Sequence, residues 1–226
     1  SAITHTTDKW LISKLHHVVV TATQEFKEFE YAKSIEAVEE FFWEDFCDNY
    51  LELVKTRAYD EAGVNPKGQQ SAVHTIYHCL DGLLRLFAPF VPHIADELYS
   101  HIFEADASIH ARGTWPNAAN YPVNEQAEQA GIAAVSILNA VRKLKAAKNV
   151  SIKWPLEEIA VSAAAKDNKA VWDMVAPLLT DLKNVTNATE IHWKELPATD
   201  DTIMQTETED NVFSVAVRFA EKSDAA

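Results

Sequence analysis

A run of aromatic and polar residues near position 45 has the types and spacing that suit recognition of nucleobases. Trp43, Phe46, Asn49 and Tyr50 fall within two helical turns, and Arg57 follows further along the same segment. An unpaired base can stack on an aromatic ring and be read by hydrogen bonds to Asn or Arg. The same spacing is also typical of a buried helix face. The residues alone therefore leave open which of these rings contact a ligand and which form core.

A basic segment interrupts an otherwise acidic sequence. The formal net charge is −14, yet residues 129–156 contain five basic residues and no acidic ones. Cations near the end of a helix complement its dipole, and a cationic stripe can equally bind phosphates. Both interpretations remain open for the five basic residues of this segment. These are Arg142, Lys143, Lys145, Lys148 and Lys153.

The sequence gives less support to metal binding, nucleotide binding or catalysis. His74 and His78 are four residues apart, and His93, Asp96 and Glu97 form a second group, but neither supplies the full ligand set of a zinc site. The five glycines form no dinucleotide or Walker loop, and no G-x-S-x-G motif is present. We therefore expect no metal site and no catalytic residue. A metal-dependent enzyme that uses His74, His78 and distant carboxylates is kept as an alternative.

The elements that position these residues are mostly helices in the first 150 residues. Apolar residues recur at helical spacing, with Asp8 predicted to cap the first helix and Ser71 the third. The stretch Glu104–Pro122 is expected to be irregular. The predicted helices cover about residues 8–28, 33–61, 72–88, 93–103 and 125–147.

The pattern changes after position 150. Alternating residues predict strands over 158–163, 185–193 and 212–219. A helix is predicted over 169–183, and Pro177 is expected either to kink it or to split it. The acidic link Leu196–Asp210 is expected to be mobile. The predicted fold is mainly α, with a bundle of about five helices in domain 1–150 and a small α+β module in domain 151–226.

Two cysteines and the absence of a long apolar run bear on the compartment. Cys47 and Cys79 both lie in helix-like apolar patterns, which predicts reduced core thiols in a cytoplasmic protein. No uninterrupted apolar run approaches the roughly 18 residues that a membrane helix needs.

Five stretches together resemble the anticodon-binding domain of class I aminoacyl-tRNA synthetases, over about residues 8–160. The Phe-Phe-Trp-x-x-Phe-Cys-Asp stretch favours the valyl branch, whereas Pro-Phe-x-Pro-His is shared with the isoleucyl and leucyl branches. The stretches that carry the resemblance are Asp8-Lys-Trp-Leu-Ile-Ser-Lys-Leu, Phe41-Phe-Trp-Glu-Asp-Phe-Cys-Asp-Asn-Tyr, Leu83-Leu-Arg-Leu-Phe-Ala-Pro-Phe-Val-Pro-His, Thr114-Trp-Pro and Val141-Arg-Lys-Leu-Lys-Ala-Ala-Lys.

The resemblance implies a C-terminal part of a synthetase that binds tRNA. The partners it implies are tRNA (valine isoacceptors in the valyl branch) and the catalytic and editing domains of the same chain. The catalytic motifs of class I are not in this sequence, so ATP and Mg²⁺ are expected to serve the catalytic domain, and no cofactor is expected here. The alternatives are an isoleucyl or other branched-chain synthetase, and a helical protein-interaction scaffold without RNA binding.

The resemblance also directs the choice of contact residues. We expect the helix around position 46 to contact anticodon bases and the basic helix near position 145 to contact phosphates. The base-side candidates are Phe46, Asn49, Tyr50 and Arg57, and the phosphate-side candidates are Arg142, Lys143, Lys145 and Lys148.

Overall fold

The computed structural model describes residues 2–103, 108–112, 114–164, 169–194 and 202–221. Short 3₁₀ turns lie at Ala118–Asn120 and Ala176–Leu178. The helices are α1 (Thr6–Lys27), α2 (Tyr31–Glu40), a π-helix (Phe41–Leu51), α3 (Glu52–Ala58), α4 (Pro66–Phe87), α5 (Pro92–Phe103), α6 (Ile109–Arg112), α7 (Glu125–Ala147), α8 (Lys169–Val175) and α9 (Leu179–Thr186). The strands are β1 (Leu156–Ala163), β2 (Ala188–Trp193), β3 (Ile203–Glu207) and β4 (Phe213–Phe219).

The chain forms two compact units. The helical unit comprises residues 1–52 and 57–128, and the second unit comprises residues 53–56 and 129–226. The mainly-α fold with a small α+β module at its C-terminal end is confirmed. The boundary predicted near residue 150 stays a prediction.

Helix α1 supplies much of the core of the helical unit. Leu11, Leu15 and Val19 are buried and recur at a spacing of four, which places them on one face of the helix. Helices α2 and α4 and the π-helix all contact α1, and α5 contacts α4. Burial of each of the side chains Leu11, Leu15 and Val19 contributes about 1.5–3 kcal/mol of transfer free energy.

The geometry of the π-helix explains which aromatic rings of this segment are buried and which are exposed. Phe41, Phe46 and Tyr50 are buried, and they are spaced by five and then four residues. A π-helix has a wider turn than an α-helix, with bonds from residue i to i+5, so residues five apart share a face. Trp43 lies off that face and is 60% exposed.

Two predicted helix caps are wrong. Helix α4 begins at Pro66, six residues before the predicted start, because Asn65 Oδ1 accepts a hydrogen bond from the Gly68 N–H at 2.9 Å and Pro occupies the first turn. Ser71 is therefore inside α4. Asp8 also lies inside its helix, where it serves as a buried hydrogen-bond acceptor, and His5 occupies the cap position of α1.

A four-stranded sheet in the order β2-β1-β4-β3 forms part of the second unit. β1 pairs parallel with β2 and antiparallel with β4, and β4 pairs antiparallel with β3. β3 lies within the link Leu196–Asp210, so the expectation of a mobile link is wrong for Ile203–Glu207. Residues 195–201 of that link lie outside the described part of the chain.

Two smaller differences concern the connecting segments. The helix predicted over 169–183 is divided into α8 and α9 by the 3₁₀ turn that contains Pro177. The segment Glu104–Pro122 contains α6 and one 3₁₀ turn, while residues 104–107 and 113 are not described. Over the ranges that the structure describes, no helix has both the length and the apolar character needed to cross a membrane.

Candidate nucleic-acid interface

A buried polar cluster around Asp8 holds two of the four residues predicted to contact bases. Arg57 donates from Nη2 to Asp8 Oδ1 at 2.8 Å and from Nη1 to Asp8 Oδ2 at 2.9 Å. The Tyr50 hydroxyl donates to Asp8 Oδ1 at 2.9 Å, and the Ser71 hydroxyl also donates to Asp8. Arg57 Nη1 further donates to the Gly68 carbonyl at 2.8 Å. Tyr50 and Arg57 therefore join α1, the π-helix, α3 and α4.

All four predicted base-contact residues are buried. Phe46 and Tyr50 stack on each other with ring centroids 6.3 Å apart, and Asn49 donates from Nδ2 to the Glu44 carbonyl at 2.8 Å. A sealed ring offers no face on which a base could stack, and the guanidinium of Arg57 is engaged by Asp8. In this conformation Phe46, Asn49, Tyr50 and Arg57 are structural residues. Their contact with tRNA stays a prediction that needs this core to open.

Trp43 is the accessible ring of the π-helix. Its indole is edge-to-face with Phe42, with centroids 4.9 Å apart. Because 60% of the side chain is exposed, the indole is accessible to a ligand from solvent. The sequence placed Trp43 in the same group as Phe46 and Tyr50, and α-helical spacing alone could not separate it from them.

A second exposed aromatic group lies at the corner between α1 and α2, and sequence reasoning missed it. We call Phe26, Phe29, Tyr31, Phe90 and Trp115 the corner cluster. Phe29 is 78% exposed and Tyr31 is 45% exposed, whereas Phe26, Phe90 and Trp115 are half-buried beneath or beside them. The signal was present as three aromatic residues in six at a predicted joint, Phe-Lys-Glu-Phe-Glu-Tyr.

The basic residues at the C-terminal end of α7, and Lys148 directly after it, differ in exposure and in their contacts. Lys143 and Lys148 are exposed, and Lys148 Nζ lies 4.2 Å from the centroid of the Phe219 ring. Arg142 is half-buried and donates from Nη1 to Asn139 Oδ1 at 3.1 Å. Of the four predicted phosphate contacts, Lys143 and Lys148 are the exposed residues.

Lys145 is placed differently from its neighbours. Its side chain is 2% exposed, and its ammonium donates to the carbonyls of Ile152, Trp154 and Thr186 at 2.8, 2.7 and 2.6 Å. Burial lowers the pKa of Lys145 from its ordinary 10.5 to about 8. Three donors meet three backbone acceptors, so the amine fastens residues 152–154 to the end of α9. It cannot reach a phosphate in this conformation.

The two cysteine thiols lie in surroundings that disfavour their ionised, reactive form. Burial raises the pKa of Cys79 and of Cys47, and Asp48 raises that of Cys47 further, so neither thiol is activated.

Within the described ranges, the group of side chains close enough to share a metal ion is Glu158, Glu190 and His192. This group contains no residue from the two histidine clusters noted in the sequence. Lys194 pairs with Glu158, and His192 Nε2 lies 2.7 Å from Glu190 Oε2.

The chain is similar to known proteins over most of its length. The family model of the anticodon-binding domain of tRNA ligase matches residues 8–161. The valine–tRNA ligases of Rickettsia rickettsii (strain Sheila Smith) and Rickettsia prowazekii (strain Madrid E) are each 45% identical over 194 residues, which is 85% of this chain and 22% of each relative. That of Rickettsia felis is 45% identical over 195 residues, 85% of this chain and 21% of the relative. The chain thus spans about a fifth of the length of these curated relatives.

Proposed function

The chain belongs to the family of anticodon-binding domains of tRNA ligases, and from this premise we propose that it recognises the anticodon arm of valine tRNA within a valine–tRNA ligase. The observation that carries the proposal is the match of the family model to residues 8–161, which include the described helices of the helical unit. The relatives named valine–tRNA ligase support the choice of amino acid.

The proposal assigns bond-making to the rest of the ligase. Attachment of valine to tRNA would use ATP and Mg²⁺ in a catalytic domain that is not part of these 226 residues. This chain would hold the far end of the tRNA while that domain acts on the acceptor end, in the cytoplasm. Its partners would be valine tRNA and the catalytic and editing domains of the same ligase.

Base recognition requires rings and polar edges that tRNA can reach. Because Phe46 and Tyr50 are sealed in the core, the proposal gives Trp43 the stacking role that the sequence suggested for this segment. An indole face binds any unpaired base, and nearby polar groups then discriminate between bases.

We assign phosphate binding to the exposed cations at the C-terminal end of α7 and directly after it. Lys143 and Lys148 are exposed cations, and Arg142 adds a half-buried guanidinium directly before Lys143 in sequence. Each phosphate contact releases counterions and so makes the affinity depend on salt. With so few cations on a chain of net charge −14, the affinity of the isolated chain is expected to be modest.

A competition between two RNA hairpins tests the proposal. The first hairpin reproduces the anticodon arm of valine tRNA, and the second reproduces its acceptor stem with the same number of phosphates. We expect the anticodon-arm hairpin to displace labelled valine tRNA from the chain at concentrations at least tenfold lower than the acceptor-stem hairpin. Equal displacement by the two hairpins would show that the chain binds RNA charge without recognising the arm.

A further inference from the structure

Phe29 has a backbone conformation that a bulky residue rarely adopts. Its φ is +62°, in the left-handed region, where it ends α1 and precedes α2. In the described part of the chain, the other non-glycine residues with positive φ are Asn149, Asn187 and Asn211. Asparagine tolerates this region because its short side chain can hydrogen-bond locally, whereas phenylalanine meets a steric penalty. A ring therefore occupies a position at which a glycine would be favoured.

The geometry of the turn explains why the position needs a left-handed residue. The Glu30 N–H donates to the Glu25 carbonyl at 2.9 Å, and the Phe29 N–H donates to the Phe26 carbonyl at 3.2 Å. Such bonds close the end of a helix by reversing the chain over one left-handed residue. The turn requires this conformation but does not require an aromatic side chain.

The ring also contributes little to the core, because most of it faces solvent. Tyr31 lies beside it, with ring centroids 6.2 Å apart and ring planes at 81°. The two rings thus form an open right-angled corner. A planar ligand that stacks on one ring lies nearly perpendicular to the other ring. Strained residues persist where their side chains contact ligands more often than elsewhere.

Half-buried rings hold this corner in place. Phe26 contacts Tyr31 with centroids 4.9 Å apart, and Trp115 contacts Phe26 at 5.0 Å. The Trp115 indole N–H donates to Thr23 Oγ1 at 2.7 Å, which fixes its orientation. A supported ring loses little conformational freedom when a ligand stacks on it.

We propose that Phe29 and Tyr31 form a stacking platform for one unpaired base of the tRNA anticodon loop. This inference rests on the proposed function. An unpaired base is flat and uncharged, and every base has a π-face that can stack on an aromatic ring. The two exposed rings are too small an apolar area for a stable protein interface, which buries about 1,200–2,000 Å² in total.

The charges around the corner suit an RNA loop better than a free phosphate. Lys27 and Lys33 are exposed on either side of the two rings in sequence, and Lys33 Nζ lies 3.7 Å from Glu30 Oε1. Glu28 accepts a hydrogen bond from Gln24. Carboxylates beside the rings oppose a phosphate at the corner itself, so we place the base there and the flanking phosphates toward the lysines.

The substitution Phe29→Gly separates the structural role of this position from binding. Glycine suits the left-handed conformation, so the variant is expected to raise the melting temperature of the 226-residue chain. Loss of the ring is expected to weaken binding of the valine tRNA anticodon-arm hairpin about tenfold, the size expected when one stacked base is lost. Phe29→Trp keeps a flat ring and should retain the affinity. Tyr59→Ala is the matched control, because Tyr59 is a 70% exposed ring of the same unit outside the corner cluster.

Each outcome bears on a different claim. A chain that does not bind the hairpin at all contradicts the proposed function, and with it this inference. Binding by the unsubstituted chain with an affinity unchanged in Phe29→Gly overturns the platform alone and leaves the proposed function standing. A tenfold loss in Tyr59→Ala equal to that in Phe29→Gly would also overturn it, because any exposed ring would then serve.

Discussion

Asp8 and Arg57 form a doubly hydrogen-bonded ion pair inside the helical unit. Both side chains are at least 96% buried, and the N–O distances are 2.8 and 2.9 Å. In this structure Arg57 holds α3 to α1. Its contact with a base, expected from the sequence, stays a prediction. Because Tyr50 and Ser71 donate to the same carboxylate, Asp8 is shared by four elements.

Removing one partner of this pair should destabilise the chain strongly. Asp8→Ala leaves a buried guanidinium without its counterion, which typically costs about 3–5 kcal/mol. Urea unfolding followed by circular dichroism measures the change. Glu97→Ala is the control, since the Glu97–His101 pair is exposed and should contribute less than about 1 kcal/mol. Similar losses in both variants would contradict the structural importance of the Asp8 cluster.

The exposed and buried rings of the π-helix should respond in opposite ways. Trp43→Ala is expected to leave the free energy of unfolding within about 0.5 kcal/mol, as for most surface substitutions. It should weaken binding of the anticodon-arm hairpin about tenfold, because one stacking face is lost. Phe46→Ala should instead destabilise the fold by about 3–5 kcal/mol. Fluorescence anisotropy and urea unfolding measure the two effects, and normal hairpin affinity in Trp43→Ala would exclude the indole as a base contact.

Lys145 should make the stability of the second unit depend on pH above 8. Its pKa is about 8 in the folded chain and 10.5 ordinarily, so the unfolded state binds more protons between these values. The contribution of this group to the free energy of unfolding therefore rises with pH across that window. The slope is at most about 1.4 kcal/mol per pH unit.

A comparison of two methionine variants isolates this effect. Lys145→Met removes the titrating amine and leaves three carbonyls without their donor, which should cost about 1–3 kcal/mol at pH 7. Its unfolding free energy should rise less steeply from pH 8 to 10 than that of the unsubstituted chain. Lys143→Met, at an exposed position, should change neither quantity. Parallel pH profiles for all three chains would refute the lowered pKa of Lys145.

The exposed cations Lys143, in α7, and Lys148, directly after α7, should determine the salt dependence of RNA binding. Lys143→Gln and Lys148→Gln each remove one phosphate contact, so each should reduce the slope of log K against log salt by about 0.7–0.9. Lys67→Gln removes an exposed cation of the other unit and serves as the control. Slopes that are unchanged in both the Lys143→Gln and the Lys148→Gln variant would show that phosphates bind elsewhere.

The sequence predicted the helices best where one face is apolar and the caps are local. Helix α7 was predicted over 125–147 and is found at Glu125–Ala147. The start of α4 was missed because the capping residue is Asn65, six residues before the cap expected at Ser71. β3 was missed because most of its residues are polar or partly exposed and its pairing with β4 comes from the backbone.

The candidate site was harder to predict because it depends on which side chains reach solvent. A wider π-turn changes which residues of the segment Phe41–Leu51 share a face, and α-helical spacing does not show this. Lys145 has the same type and spacing as its exposed neighbours. It is buried because the chain beyond α7 and the end of α9 bring three carbonyls to its amine, a long-range effect that local sequence does not reveal.

The central claim is that this chain reads the anticodon of valine tRNA. The most direct test measures dissociation constants of the 226-residue chain for full-length valine tRNA and for the same tRNA with single anticodon bases replaced, at one fixed salt concentration. We predict that at least one anticodon replacement weakens binding tenfold or more, while replacement of a base pair in the acceptor stem has no effect. Equal affinity for every anticodon variant would contradict the claim.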